Sequence, residues 1–477
     1  MEFVSAGPLP SLWATILLFV LLVLCGRAGG AFLYRLGYGG DGLTSEEKAL
    51  FSLGTGITAL SLGVFFIGLL GFLNKPALLV LLALFLLVAF KSGERNVFVP
   101  SRLFSGIFGG PRLFVGLAVS ILFLSWLQAL APPIGTDALS YHLYHPRQFV
   151  LEGRIHAVPF TRESLWPYLT EMLFTLGLVL QGTVLAQLFH WAFYGLCAGA
   201  VYAFTRRFND ERTAQFAGLI FLVTPVAFAQ SGHPYVDLSF AFFVFLSVYP
   251  LFLRDKLGEP KAALLSGMLC GAALSTKYLA LGAAALLCGF WVLTARERAR
   301  AFFCFLAACG AVAGAWYLRS WIVIGNPVYP FFPKIFGGHG FELNMMEGVG
   351  KGGGPPAFLA MGWNMTMHPY AFGGEMIGPL FLLFVPYLLF EIRRARPSMR
   401  TLAVFTLLYT LFLFTQSQHM RFYLSVATFL SVGAGVALQR MLESGKLLRR
   451  SVLLVLAAVL LVHSAIFTYR LRTVLGV

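Results

Sequence analysis

Asp137, Tyr141, His142, Tyr144 and His145 crowd into the stretch Ile134–Pro146. At helical spacing Asp137 shares a face with Tyr141 and Tyr144, while His142 and His145 line an adjoining face. A carboxylate beside aromatic rings at a lipid–water edge stays ionised yet is partly desolvated, as a general base toward a hydroxyl must be. The plainer reading makes Asp137 the N-cap of a surface helix. The His-x-x-His spacing also admits a divalent ion. No third ligand stands at fixed spacing, so no metal-binding residues are assigned and the divalent ion is left as an option.

Three cations stand where an outward-facing segment would not normally carry them: Lys277 in a turn between two apolar runs, Arg319 near the end of a run, and Arg421 at the start of another. Each needs an anion. A lipid phosphate at the outer boundary supplies one, and Lys277, Arg319, Arg421 and His419 can hydrogen-bond its oxygens and stabilise charge on a departing group. Snorkelling to headgroups is the bland alternative. Asp237, in His233-Pro-Tyr-Val-Asp237, would orient one of these cations or bind hydroxyls, or else cap a helix.

The elements that must position these residues are greasy. Of 477 residues 58% are apolar and 12% charged, against an apolar share of about half in soluble domains. Apolar runs of spanning length recur along the chain. They predict an all-α polytopic membrane protein of about fourteen transmembrane helices, from 9–33 to 451–469. The net charge of +15 forms no nucleic-acid platform. It gathers in alternate short loops, for example Lys91, Arg95, Arg102 and Arg112, or Arg393, Arg394, Arg396 and Arg400, which the positive-inside rule makes cytoplasmic. Loops 132–182 and 325–375 then face outward. They and their neighbours hold seven of the nine histidines (His142, His145, His156, His233, His339, His368 and His419), a skew that marks a polar site at one face. The run Leu165–Leu180 carries Glu171 and is only half as apolar as a span, so it is expected to lie in the outer interface. The Gly-rich run Gly348–Gly354 reads as a flexible loop inside the 325–375 segment, whose fifty residues are long for a connector and suit a substrate lid. All six cysteines fall in apolar runs and offer no disulfide framework.

The order of Asp137, the interfacial stretch from Leu165, Tyr235-Val-Asp237, Ser275-Thr-Lys-Tyr278, Gly325-Asn-Pro-Val-Tyr-Pro330 and Gln418-His-Met-Arg-Phe-Tyr423 resembles the C-type (GT-C) membrane glycosyltransferases. Within them it is most similar to the family 39-like enzymes, which include protein O-mannosyltransferases and aminoarabinose transferases. The resemblance covers roughly 112–440. It sets 1–111 apart as extra N-terminal transmembrane helices and 441–477 as a C-terminal helix. It implies sugar transfer from a polyprenyl-phosphate-linked donor to an acceptor hydroxyl on a glycan, lipid or protein, with inversion and with Asp137 as base. Lys277 and Arg421 would contact the donor phosphate, joined by His419 and Arg319; Tyr141, His142, His145, Asp237 and Tyr278 would line the substrate. It places the chain in a bacterial inner membrane with its site facing the periplasm. Ala138 follows Asp137 where relatives often carry a second acid, and no soluble domain is expected after the last span. A transporter or flippase of lipid-linked glycans is the alternative; it would gather cations and broken helices at mid-bilayer.

Overall fold

The computed structural model describes residues 8–92, 98–99, 110–158, 161–337, 349–391, 393 and 396–475. Arg95, Arg102, His339, Gly348, Arg394 and the middle of the 325–375 loop lie outside the described residues. The described residues form helices and connecting turns only: α1 (Pro8–Leu33), α2 (Ser45–Leu69), α3 (Lys75–Lys91), α4 (Arg112–Leu130), α5 (Tyr144–Glu152), α6 (Leu169–Leu180), α7 (Thr183–Phe208), α8 (Glu211–Leu222) and α9 (Pro225–Ser231). They continue as α10 (Asp237–Val248), α11 (Glu259–Leu274), α12 (Ala280–Thr294), α13 (Arg298–Ile324), α14 (Gly354–Met367), α15 (Leu380–Glu391), α16 (Pro397–Gln416), α17 (Leu424–Glu443) and α18 (Lys446–Leu475), with a few single turns between them.

The protein is an all-α integral membrane protein. Every expected apolar run is helical, but among the described residues nine helices are long and apolar enough to cross a membrane. The number is ten if α8 and α9, bent by 63° between Leu222 and Pro225, form one broken span. Four of the fourteen expected runs fold as helices shorter than that test requires: α3, α11, α12 and α15, of 17, 16, 15 and 12 residues. α11 and α12, of 16 and 15 residues, rise about 1.5 Å per residue and fall short of roughly 30 Å of hydrocarbon.

The chain divides into two compact units built from interleaved segments: Met1–Leu103, Pro132–His190 and His233–Met345 in the first, Phe104–Ala131, Trp191–Gly232 and Met346–Val477 in the second. In the first unit α1 lies against α2 at a distance only glycine permits. A Cβ on Gly29 would fall 2.0 Å from the Ser52 carbonyl, and one on Gly56 would fall 1.9 Å from that of Cys25. Close backbone approach of this kind is how helices associate where lipid supplies no hydrophobic drive. Thr44 and Glu47 close a capping box on α2, and the buried Glu47 also accepts from the Tyr249 hydroxyl at 2.8 Å. In the second unit α17 packs against α8, α15 and α16.

α6 corrects an expectation. Residues Leu169–Val179 are all buried, and α6 packs against α2 and α5. It is enclosed by protein instead of presenting an apolar face to an interface.

Candidate functional site

Asp137 enters on a short extended run set up by Pro132 and Pro133. At Gly135 the backbone passes so close to Tyr235 that a Cβ would lie 2.7 Å from the phenol oxygen. Asp137 precedes a wide turn, Ala138–His142, and its side chain makes no cap, which rules out the N-cap reading. Instead its Oδ2 accepts from the Tyr141 hydroxyl at 2.9 Å. The carboxylate is half-buried.

The next layer hangs on the first turn of α6. Four consecutive residues there each tie to a different segment. The Tyr168 hydroxyl is 2.7 Å from His145 Nδ1, and the Leu169 amide donates to the Ser275 carbonyl at 2.8 Å. The Thr170 hydroxyl meets that of Ser239 at 2.7 Å, and Glu171 Oε1 is 2.7 Å from His142 Nδ1. Burial pushes the Glu171 carboxyl well above the usual range; nearby Lys277 pulls it down and Asp237 pushes it up again. Desolvation thus favours the protonated form of the carboxyl that meets His142. The His142 ring in turn lies 4.1 Å from that of Tyr141 and 5.7 Å from that of Tyr235. A continuous contact thus runs from Glu171 through His142 and Tyr141 to Asp137.

Burial, with Arg319 and His156 nearby, lowers the His145 pKa to about 4, so the ring is neutral at pH 7. His142 and His145 are both buried and bond to different partners. Among the described residues no three His, Cys, Asp or Glu side chains stand together as a metal site.

Asp237 opens α10 without capping it. It is 1% exposed, and its Oδ1 accepts from Lys277 Nζ at 2.7 Å, with the lysine side chain 22% exposed. An anion this deeply buried is tolerated only with a close counter-charge. The start of α10 is set by His190, which sequence reasoning missed. Its Nδ1 lies 2.6 Å from the His233 carbonyl, and its Nε2 accepts from the Leu238 amide at 3.1 Å. Those partners require the neutral tautomer with the proton on Nδ1. Only the spacing of His190 before the His233–Asp237 motif could have hinted at this.

Arg319 and Tyr278 both contact neighbouring segments of the protein. The Arg319 guanidinium, 7% exposed, donates to the Ser164 and His156 carbonyls at 2.9 and 3.0 Å; it clamps the loop leading into α6. Tyr278 packs edge-on against Tyr317 and Phe331. There it backs the turn that Asn326 fastens through the Phe331 carbonyl and the Val328 amide. Asp137, Tyr141, Asp237 and Lys277 remain together in the first unit.

Arg421 and His419 belong to the second unit. The Arg421 guanidinium lies 5.3 Å from the Phe422 ring centre, and the His419 ring 5.5 Å from it. This unit also holds a part-buried polar contact, Gln230 Nε2 donating to Glu375 Oε1 at 2.6 Å.

No protein-family description matches the chain, and no curated protein matches it. Among solved structures it is similar to ArnT from Cupriavidus metallidurans in the apo state. Identity is 19% and the TM-score 0.48, with 69% of this chain and 59% of that chain covered. The chain thus spans less than two thirds of the length of that structure's chain.

Proposed function

We propose that the protein transfers a sugar from a polyprenyl-phosphate-linked donor to an acceptor hydroxyl at the non-cytoplasmic face, with Asp137 as general base. The observation that carries this reading is one cluster: a half-buried carboxylate restrained by Tyr141, in the same unit as a cation held by a buried aspartate. The carboxylate takes the acceptor proton as the oxygen attacks the anomeric carbon, and the bond from that carbon to the phosphate oxygen breaks on the opposite side, inverting the centre. Lys277 stabilises charge on the departing phosphate. Asp237 keeps that ammonium in place, and Glu171 with His142 fixes the ring against which Tyr141 rests. Arg421 and His419 are proposed donor-phosphate contacts on the motif resemblance alone, and Arg421→Ala tests that role through donor affinity.

The bend of 63° between α8 and α9 is the one feature that favours a transporter of lipid-linked glycans, since such proteins break their helices at the site. Purified protein in detergent, given a radiolabelled polyprenyl-phosphate sugar, separates the two readings. Transfer or hydrolysis without a membrane supports the transferase; intact donor after prolonged incubation, with tight donor binding, supports the transporter.

A further inference from the structure

α14 carries no charged residue over Gly354–Met367, and at 14 residues it rises about 21 Å, too short to cross the hydrocarbon. Leu359, Trp363 and Met367 repeat every fourth residue along one face and are 84%, 58% and 53% exposed. Tyr370, 87% exposed, extends the stripe. The opposite side is tethered: Phe358 meets Phe414 of α16 edge-on at 5.3 Å. An uncharged short helix with an exposed Leu–Trp–Met face and a Tyr at its end suits the plane of a membrane interface, where aromatic rings sit at headgroup level.

At the C-terminal end of this stripe lies a cleft of about 550 Å³. Its polar lining is Lys351, Thr366, His368 and Tyr370, with no acid; Met367 and Met376 are among its apolar walls. Lys351 lies in the Gly-rich run. Gln418 grips its loop, Oε1 accepting from the Lys351 amide at 3.1 Å and Nε2 donating to the Gly352 carbonyl at 2.7 Å. The Gly350 amide donates to the Ala371 carbonyl at 2.6 Å. Gly350 sits at φ +107°, with Gln418 Oε1 where its Cβ would be, so the grip needs glycine. The loop thus holds the lysine backbone beside 366–371.

We infer that Lys351, His368 and Tyr370 form a binding site for the phosphate headgroup of an anionic lipid whose acyl chains lie along Leu359, Trp363 and Met367. The site is independent of the chemistry at Asp137. A phosphate needs donors and no facing carboxylate; a lipid, unlike free phosphate, also covers the apolar stripe.

The test titrates the full-length protein in non-ionic detergent with dihexanoylphosphatidylglycerol, dihexanoylphosphatidylcholine or inorganic phosphate. Indole fluorescence is read, and the share of Trp363 is the part lost in Trp363→Phe. Saturable change with the anionic lipid, about fivefold tighter than with the zwitterionic one, is expected from one lysine near an anionic headgroup. Lys351→Gln should abolish that preference and Lys351→Arg keep it. Equal affinity for the two lipids, an unaltered preference in Lys351→Gln, or inorganic phosphate binding as tightly as the anionic lipid would each overturn the inference.

Discussion

Lys277→Ala is the substitution whose consequence follows most directly from the site. It leaves Asp237, 1% exposed, without the ammonium 2.7 Å away. Breaking a buried pair from one side costs about 3–5 kcal/mol, because the surviving charge stays desolvated. Lys277 is 22% exposed, so water reaches the vacated space and the lower end applies, about 3 kcal/mol. At about 2–4 °C per kcal/mol, the scale for chains of 150–250 residues, the thermal midpoint in detergent should fall by several degrees. Adding Asp237→Asn removes the stranded charge, so the double variant should recover most of the loss while still binding donor weakly. Thermal unfolding of wild type, both single variants and the double variant completes the cycle, with donor affinity measured alongside. A double variant no more stable than Lys277→Ala would refute the pairing argument; unchanged donor affinity in Lys277→Ala would remove its phosphate role.

Glu171→Gln keeps a hydrogen-bonding group against His142 Nδ1 and should leave the thermal midpoint close to that of wild type, whereas Glu171→Ala strands His142 Nδ1 and should cost about 1–3 kcal/mol; equal thermal midpoints for the two variants would contradict this. Arg319→Ala should loosen the 156–164 loop, seen as faster amide exchange at Leu165 and Trp166, and should leave donor affinity intact if the clamp is its role. For His145 the folded pKa of about 4 lies below the unfolded value of about 6.5, so the unfolded chain binds more protons between them. Stability is then full above pH 6.5 and falls by about 3 kcal/mol as the pH drops toward 4; His145→Gln should flatten that acid slope in a series of thermal midpoints.

Much of this was legible in the sequence because the bilayer constrains it. Apolar runs longer than the hydrocarbon thickness must be helices, and each expected run is one. Asp137 and Tyr141 met because four residues make roughly one helical turn. The shortness of α11 and α12 was not legible, because an apolar run does not show where its helix begins and ends. α6 was misplaced for a related reason. Glu171 lowered its hydropathy enough to suggest an interface, while the structure buries that acid against His142. The charge of Arg319 was visible in the sequence, while the carbonyls of His156 and Ser164 that it meets, far away in sequence, were not. His190 was passed over because nothing local shows that both its ring nitrogens serve the start of α10.

Asp137→Asn tests the central claim most directly, with turnover and donor affinity measured on the same purified protein. An amide cannot accept the acceptor proton, so turnover should fall by about 100-fold or more while donor affinity stays within about twofold. Turnover that survives the substitution would contradict the assignment of Asp137 as the base.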